Sequence, residues 1–264
     1  MTARGQRYAT MFERLGRTGE GAFVPFLMVG DPNPDGSLAA ATLLVRSGAD
    51  ALELGLPFSD PIADGPVIQA AATRALAAGV RQADCWQMIG RLRKQHAELP
   101  IGLLVYANLV CHRNPADFYA NAAQAGVDSV LIADLPTDEA GLVLEEAKRA
   151  GIATVFIAPP NAGADRLGQI AKLSEGYTYV TSREGVTGAD ERLRRDQSTV
   201  LGDLRKLGAP PALLGFGISN PDQVRRAMAM GAAGAISGSA VVQRISDGSD
   251  LAAFVQSMKA ATRK

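Results

Sequence analysis

With only two cysteines, Cys85 and Cys111, in 264 residues, the chain has no means of building a disulfide framework. The pair fits a reducing cytosol and reads as small buried or half-buried thiols. Histidine is equally scarce: His96 ends a charged helix and His112 sits in a loop, both read as surface residues. Neither sign of charge is in excess, Lys+Arg and Asp+Glu both counting 27. No net field therefore recruits nucleic acid or an anionic membrane, and any anion site must be local. The N-terminus, Met1 to Arg17, scatters Arg and Glu without an apolar core, so it is neither a secretory signal nor a membrane span, and a cytoplasmic location is expected. His-Glu-x-x-His, Cys-x-x-Cys, Gly-x-x-x-x-Gly-Lys-[Ser/Thr] and Gly-x-Ser-x-Gly are all missing, which removes the commonest metal, P-loop and serine-hydrolase signatures. No lysine stands at a strand end, which argues against a Schiff-base aldolase.

What is present is an ordinary globular composition, 47% hydrophobic and 20% charged, enough for a large core. A junction of helix end, glycine and buried strand recurs: Ser47-Gly48-Ala49-Asp50 before Ala51–Leu54, Ala125-Gly126-Val127-Asp128 before Ser129–Ala133, and Ala150-Gly151 before Ile152–Ala158. Leu207-Gly208 before Ala212–Phe216 and Met230-Gly231 before Ala233–Ser237 repeat it. Glycine suits a left-handed helix cap, and the apolar run after it suits a strand covered on both faces. Gly126 to Gly151 and Gly208 to Gly231 each span about one strand-plus-helix unit, and the gap from Gly48 to Gly126 spans about three. Eight strands are expected, near 23–29, 50–54, 101–106, 128–133, 153–158, 177–181, 212–216 and 233–237. Helical spacing marks Leu38–Arg46, Glu139–Arg149, Asp222–Met230 and Leu251–Ala261 between them. Eight units without a change of pattern favour a closed α/β barrel over an open doubly wound sheet. The fold class is thus a (β/α)₈ barrel with an extra N-terminal helix and a short extra helix, Ala240–Ile245, after strand 8. No linker interrupts it, so residues 1–264 are expected to form a single domain.

Barrel chemistry sits at the C-terminal ends of the strands. Strand 2, Ala51-Leu52-Glu53-Leu54-Gly55, places a carboxylate inside an apolar run. Burial there costs several kcal/mol unless the group is protonated, paired or used, and partial burial moves a glutamate toward the range where it both gives and takes a proton. The next loop, Leu56 to Pro66, adds Asp60 and Asp64 among three prolines, Pro57, Pro61 and Pro66. Either aspartate can face Glu53 across a ligand or serve the turn, and spacing does not choose. Gly215-Phe216-Gly217-Ile218-Ser219 after strand 7 and Ser237-Gly238-Ser239-Ala240 after strand 8 form a split phosphate cradle, bare glycines beside a helix N-terminus. The loop Ser182–Asp190 after strand 6 mixes glycines with polar groups and is a candidate cover for the substrate. Arg192, Arg194 and Arg195 read as solvated surface.

These segments resemble the tryptophan synthase α-subunit family, whose signature matches Leu52-Glu53-Leu54-Gly55-Leu56-Pro57-Phe58-Ser59-Asp60-Pro61-Ile62-Ala63-Asp64-Gly65-Pro66. The likeness continues through Phe23–Phe26, Leu103–Asn108, Ala133–Pro136, Tyr177–Val180, Ser182–Gly188, Gly215–Ser219 and Ala235–Ser239, so it covers nearly the whole chain. It implies retro-aldol cleavage of indole-3-glycerol phosphate to indole and glyceraldehyde 3-phosphate in tryptophan biosynthesis, with no cofactor in this chain. It also implies a β-subunit partner carrying pyridoxal phosphate, in an α2β2 heterotetramer to which indole passes. By the same resemblance Glu53 shuttles protons, and Asp64 accepts the indole N–H and stabilises the charged tautomer, which settles the choice between the aspartates. Phe26, Leu104, Tyr106, Leu131, Tyr179, Phe216 and Ile236 fall to the indole and glycerol pocket. Thr187 helps order the lid against Asp64, and Gly188, Gly217, Gly238 and Ser239 hold phosphate. Pro57, Phe58, Asp60 and Pro136 lie where the family meets its partner. Two rival readings use the same residues: a binding module whose weak activity matters only when docked, and a free-standing lyase with no β partner.

Overall fold

The computed structural model describes residues 5–181, 197–215 and 217–263. Among them nine strands occur, β1 (Ala22–Met28), β2 (Leu52–Gly55), β3 (Ile101–Val105), β4 (Ser129–Ile132), β5 (Ala153–Val155), β6 (Ile157–Ala158), β7 (Thr178–Thr181), β8 (Ala212–Gly215) and β9 (Gly234–Ser237). Every pairing is parallel, neighbours in the chain pair in the sheet except β5 and β6, which end its order, and β9 returns to β1. Only Phe156 separates β5 from β6, so these are two halves of one stave and the ring closes as the expected eight-staved (β/α) barrel. The break corrects the single strand expected over 153–158.

Local chemistry accounts for most element ends. The junction glycines Gly48, Gly126, Gly151, Gly208 and Gly231 have φ of 112°, 87°, 73°, 71° and 92°, a left-handed conformation that carries no steric cost only for glycine. Three helices, α2 (Pro34–Arg46), α6 (Pro115–Ala125) and α10 (Pro221–Ala229), begin on an Asn-Pro pair. Each asparagine side chain accepts a first-turn N–H, and proline fills the position whose N–H has no acceptor. Four expectations need amendment. The gap from Gly48 to Gly126 holds two strands, β2 and β3, its extra length being a second helix after β2, α3 (Pro66–Ala77) followed by α4 (Gln82–Gln95). The helix expected over Glu139–Arg149 is a 3₁₀ turn, Thr137–Leu142, and a separate α7 (Leu144–Ala150), with Val143 at φ −130° between them. The helix after β9, α11 (Ser239–Asp247), is longer than expected. His96, read as a surface residue, is half-buried, with its Nε2 buried and lacking a partner.

Alternation along the strands separates two cores. Outward residues such as Leu52, Leu54, Leu103 and Val180 join the helices in one large cluster, while inward ones, Val24, Ala51, Leu131, Val155, Tyr179, Leu213 and Ile236, fill the barrel. The N-terminal helix α1 (Gln6–Thr18) contributes Tyr8, Met11 and Leu15 to that inner cluster and so closes the floor. Plugging the floor leaves the C-terminal mouth as the open end. No helix among the described residues is long and apolar enough to cross a membrane.

Candidate active site

Glu53 points inward by the same alternation that buries Ala51 in the barrel and Leu52 in the outer layer, and it is 2% exposed. Its hydrogen-bond partner among the described residues is a hydroxyl: Tyr177 Oη donates to Oε1 at 3.0 Å. Loss of water pushes the carboxyl up to about 7; the Tyr177 hydrogen bond opposes this and the charge of Asp64 adds to it. No lysine, arginine or histidine occurs among the described residues lining the cavity above it. The group therefore keeps its proton to near neutrality and can exchange it in either direction.

Asp64 reaches the same cavity from the loop after β2. A backbone turn, Asp64 N–H to Pro61 C=O at 3.0 Å, precedes Gly65, the residue that caps α3. Burial raises the Asp64 carboxyl above the ordinary aspartate range, and a hydrogen bond from Tyr106 opposes the rise. The Tyr106 hydroxyl accepts Ala63 N–H at 3.0 Å, which leaves its own proton for Asp64. Asp60 is exposed, its carboxylate taken up by the neighbouring Ser59 hydroxyl. The loop thus brings one of its two aspartates to Glu53 and turns the other outward.

Between the carboxylates and the barrel wall lies a cavity lined by Phe26, Leu104, Tyr179 and Ile236 on its apolar side, and by Gly217, Gly238 and Ser239 at the far end. Ile218, Ser219 and Ala240, from the two cradle segments, and Gly65 and Ile68 complete the described lining; of these only Ile68 was not singled out by sequence. Two glycines make the room. A Cβ on Gly215 would overlap the Tyr179 hydroxyl, and one on Gly55 would come within 2.6 Å of the Phe26 ring. At the far end α11 starts behind Gly238 with no side-chain cap, so its first N–H groups lack intrahelical acceptors and the positive end of its dipole lies at the cavity. Gly217 beside it has φ +77°, open to glycine and strained for other residues.

The remaining expected residues separate. Tyr106 is buried behind the Asp64 loop, and Leu131 lies in the inner cluster with Tyr179. Phe58 is half-buried and stacks on Tyr106 with ring centroids 5.3 Å apart, next to half-buried Pro57. Pro136 is exposed and borders a different hollow, about 300 Å³, with Asp134, Phe156 and Arg166. Thr187, Gly188 and Phe216 lie outside the described residues. Tyr177, which sequence reasoning quoted without a role, shares a strand face with Tyr179 two positions on; that spacing was the available signal.

The family model described as tryptophan synthase alpha chain matches residues 12–264. The tryptophan synthase alpha chain of Shewanella amazonensis is 55% identical over 97% of this chain and 99% of its own. That of Aeromonas hydrophila is 53% identical over 98% and 99%. Among solved structures, Mycobacterium tuberculosis tryptophan synthase superposes with a TM-score of 0.89 at 29% identity, covering 100% of both chains. Tryptophan synthase subunit alpha from Legionella pneumophila gives 0.85 at 30% identity over 97% and 98%. A closed barrel with two carboxylates at its mouth, matched over nearly its whole length in this way, belongs to the tryptophan synthase alpha chain family.

Proposed function

We propose that Glu53 and Asp64 divide between them the cleavage of indole-3-glycerol phosphate to indole and glyceraldehyde 3-phosphate, the lyase reaction of this family in tryptophan biosynthesis. The observation that carries the assignment is Glu53, buried, with no cation among the described residues lining its cavity and its carboxyl pushed up to about 7 by loss of water, beside a cavity whose far end is a helix N-terminus. Protonated Glu53 gives its proton to indole C3; the C2=C3 π pair forms the new C–H bond, and positive charge spreads to the ring nitrogen. Asp64 accepts the ring N–H and stabilises that charge as it develops. The Glu53 carboxylate then takes the proton of the glycerol hydroxyl while the bond from C3 to the glycerol carbon breaks. The bonding pair returns to the ring, the oxygen keeps its carbon as an aldehyde, and Glu53 is protonated again.

The apolar wall of Phe26, Leu104, Tyr179 and Ile236 suits the indole ring, with Tyr106, Leu131 and Phe216 around it. We assign phosphate to Gly217, Gly238 and Ser239; the family resemblance adds Gly188 to that set and gives Thr187 a role toward Asp64, both outside the described residues. In an indole-release assay on the purified chain, Glu53→Gln is expected to lose about 10³- to 10⁴-fold in kcat, the scale of acid–base catalysis by one group used twice. Asp64→Asn is expected to lose about 10²-fold. Near-normal indole release by either variant refutes its role.

Family membership implies a β-subunit partner, and we assign Pro57, Phe58, Asp60 and Pro136 to that contact within an α2β2 assembly in the cytoplasm. The exposure of Asp60 and Pro136 supports this, as does the stacking of Phe58 on Tyr106, which ties the outer loop to Asp64. Pyridoxal phosphate belongs to the partner; this chain uses acid–base chemistry alone. Size-exclusion chromatography with the β subunit tests the assembly: unchanged elution favours a free-standing lyase.

A further inference from the structure

The two glycine turns at the far end of the cavity are joined by one buried side-chain hydrogen bond. Ser237, the last residue of β9, is 0% exposed, and its Oγ donates to the carbonyl of Ile218 at 2.7 Å. Its neighbours Ile236 and Gly238 line the cavity, while Ser237 shares the opposite strand face with Ala235, in the outer cluster. The hydroxyl therefore reaches sideways into the adjacent turn and away from a ligand. On the other flank Gln223 Oε1 accepts both the N–H and the hydroxyl of Ser219, at 2.7 and 3.0 Å. That second clamp is exposed to water, which competes for it; the Ser237 clamp is dry.

No lysine or arginine occurs among the described residues that line this end. An anion held by backbone N–H groups and a helix dipole depends on those groups keeping fixed positions, since no mobile cation follows the anion if they drift. We infer that Ser237 is a positioning residue for the phosphate, setting the spacing between the Gly217–Ser219 turn and the start of α11. The inference builds on the phosphate reading above.

Inorganic phosphate and indole, each titrated against the full chain by NMR, separate this role from general loosening. Ser237→Ala is expected to weaken phosphate binding about tenfold, the scale of one buried hydrogen bond, and to leave indole affinity within about twofold. Phosphate affinity unchanged, or phosphate and indole weakened equally, overturns the role of Ser237. If the alanine variant does not fold, Ser237→Cys, which keeps a weak donor at similar volume, decides by the same ratio. Wild-type chain that binds no phosphate overturns the phosphate reading itself, an outcome distinct from a failure of Ser237 alone.

Discussion

The floor and the mouth of the barrel treat buried carboxylates in opposite ways. At the floor Asp50, just before β2, receives Arg14 at 2.9 Å, Lys259 at 2.8 Å and the N–H of Phe23 at 3.0 Å. Asp128, just before β4, receives Arg7 and Arg93, both at 2.6 Å, and the N–H of Ile101 at 2.8 Å. Both aspartates follow a junction glycine by two residues, and each bonds the N–H that opens the preceding strand or its neighbour, so one local device is used twice. At the mouth Glu53, three residues from Asp50, has a tyrosine hydroxyl and a like charge nearby. Burial alone does not distinguish them, since all three are under one-tenth exposed. What differs is the supply of cations and donors: the floor fixes charge, and the mouth leaves a proton free to move.

Breaking the floor should have the largest effect on stability. Asp128→Ala strands two guanidinium groups whose side chains are 18% and 13% exposed, together with the Ile101 N–H. A buried pair adds little over an apolar replacement, but removing one partner leaves uncompensated charge, and a loss of about 3–5 kcal/mol in urea unfolding is expected. The variant that still folds should release indole normally. A loss under about 1 kcal/mol would put the floor pairs with ordinary surface ion pairs and erase the contrast.

Glu53→Gln probes the mouth by the opposite sign. The distance between the ordinary 4.5 and about 7 is worth about 3 kcal/mol. Below pH 4.5 the carboxyl is protonated in both folded and unfolded chains and costs nothing. As pH rises the unfolded chain releases its proton first, so the folded state loses stability until about 7, and the full cost persists above that. The glutamine variant removes the ionisation while keeping an acceptor for Tyr177. Its stability gain should therefore grow from near zero at about pH 4 to about 3 kcal/mol at about pH 8. A gain independent of pH would mean that Glu53 is ionised in the folded chain throughout.

How much of this contrast a sequence shows depends on whether its cause is local. The junction glycines were legible because a left-handed cap is a steric demand on one residue, and Glu53 was legible as a charge inside an apolar run. Asp50 and Asp128 stood in the repeated junction too, but the Arg7 partner of Asp128 lies 121 residues away, and Lys259 comes from the last helix. Tyr177 is 124 residues from Glu53, a meeting that only barrel closure brings about. The stave break at Phe156 carries no glycine or proline to announce it, and the helix break at Val143 has only Gly141, two residues before it, a signal that a helix also tolerates. Asp60 and Asp64 were indistinguishable by spacing because a single backbone turn ending at Gly65 decides which one faces inward.

The smallest expected effect tests the hydroxyl that donates to Glu53. Tyr177 Oη stabilises the charged form of Glu53, so Tyr177→Phe should move the Glu53 titration further above its present position of about 7. A neutral donor to a carboxylate is worth on the order of 1 kcal/mol, or about half to one pH unit. Carbon-13 NMR of the glutamate carboxyls reads that midpoint directly, and the pH optimum for indole release should follow it upward with a loss under about tenfold at neutrality. If the midpoint stays where it is, Tyr177 serves packing against Tyr8, whose ring lies 5.3 Å away. Burial alone then sets the Glu53 proton, and the difference between floor and mouth reduces to the presence or absence of cations.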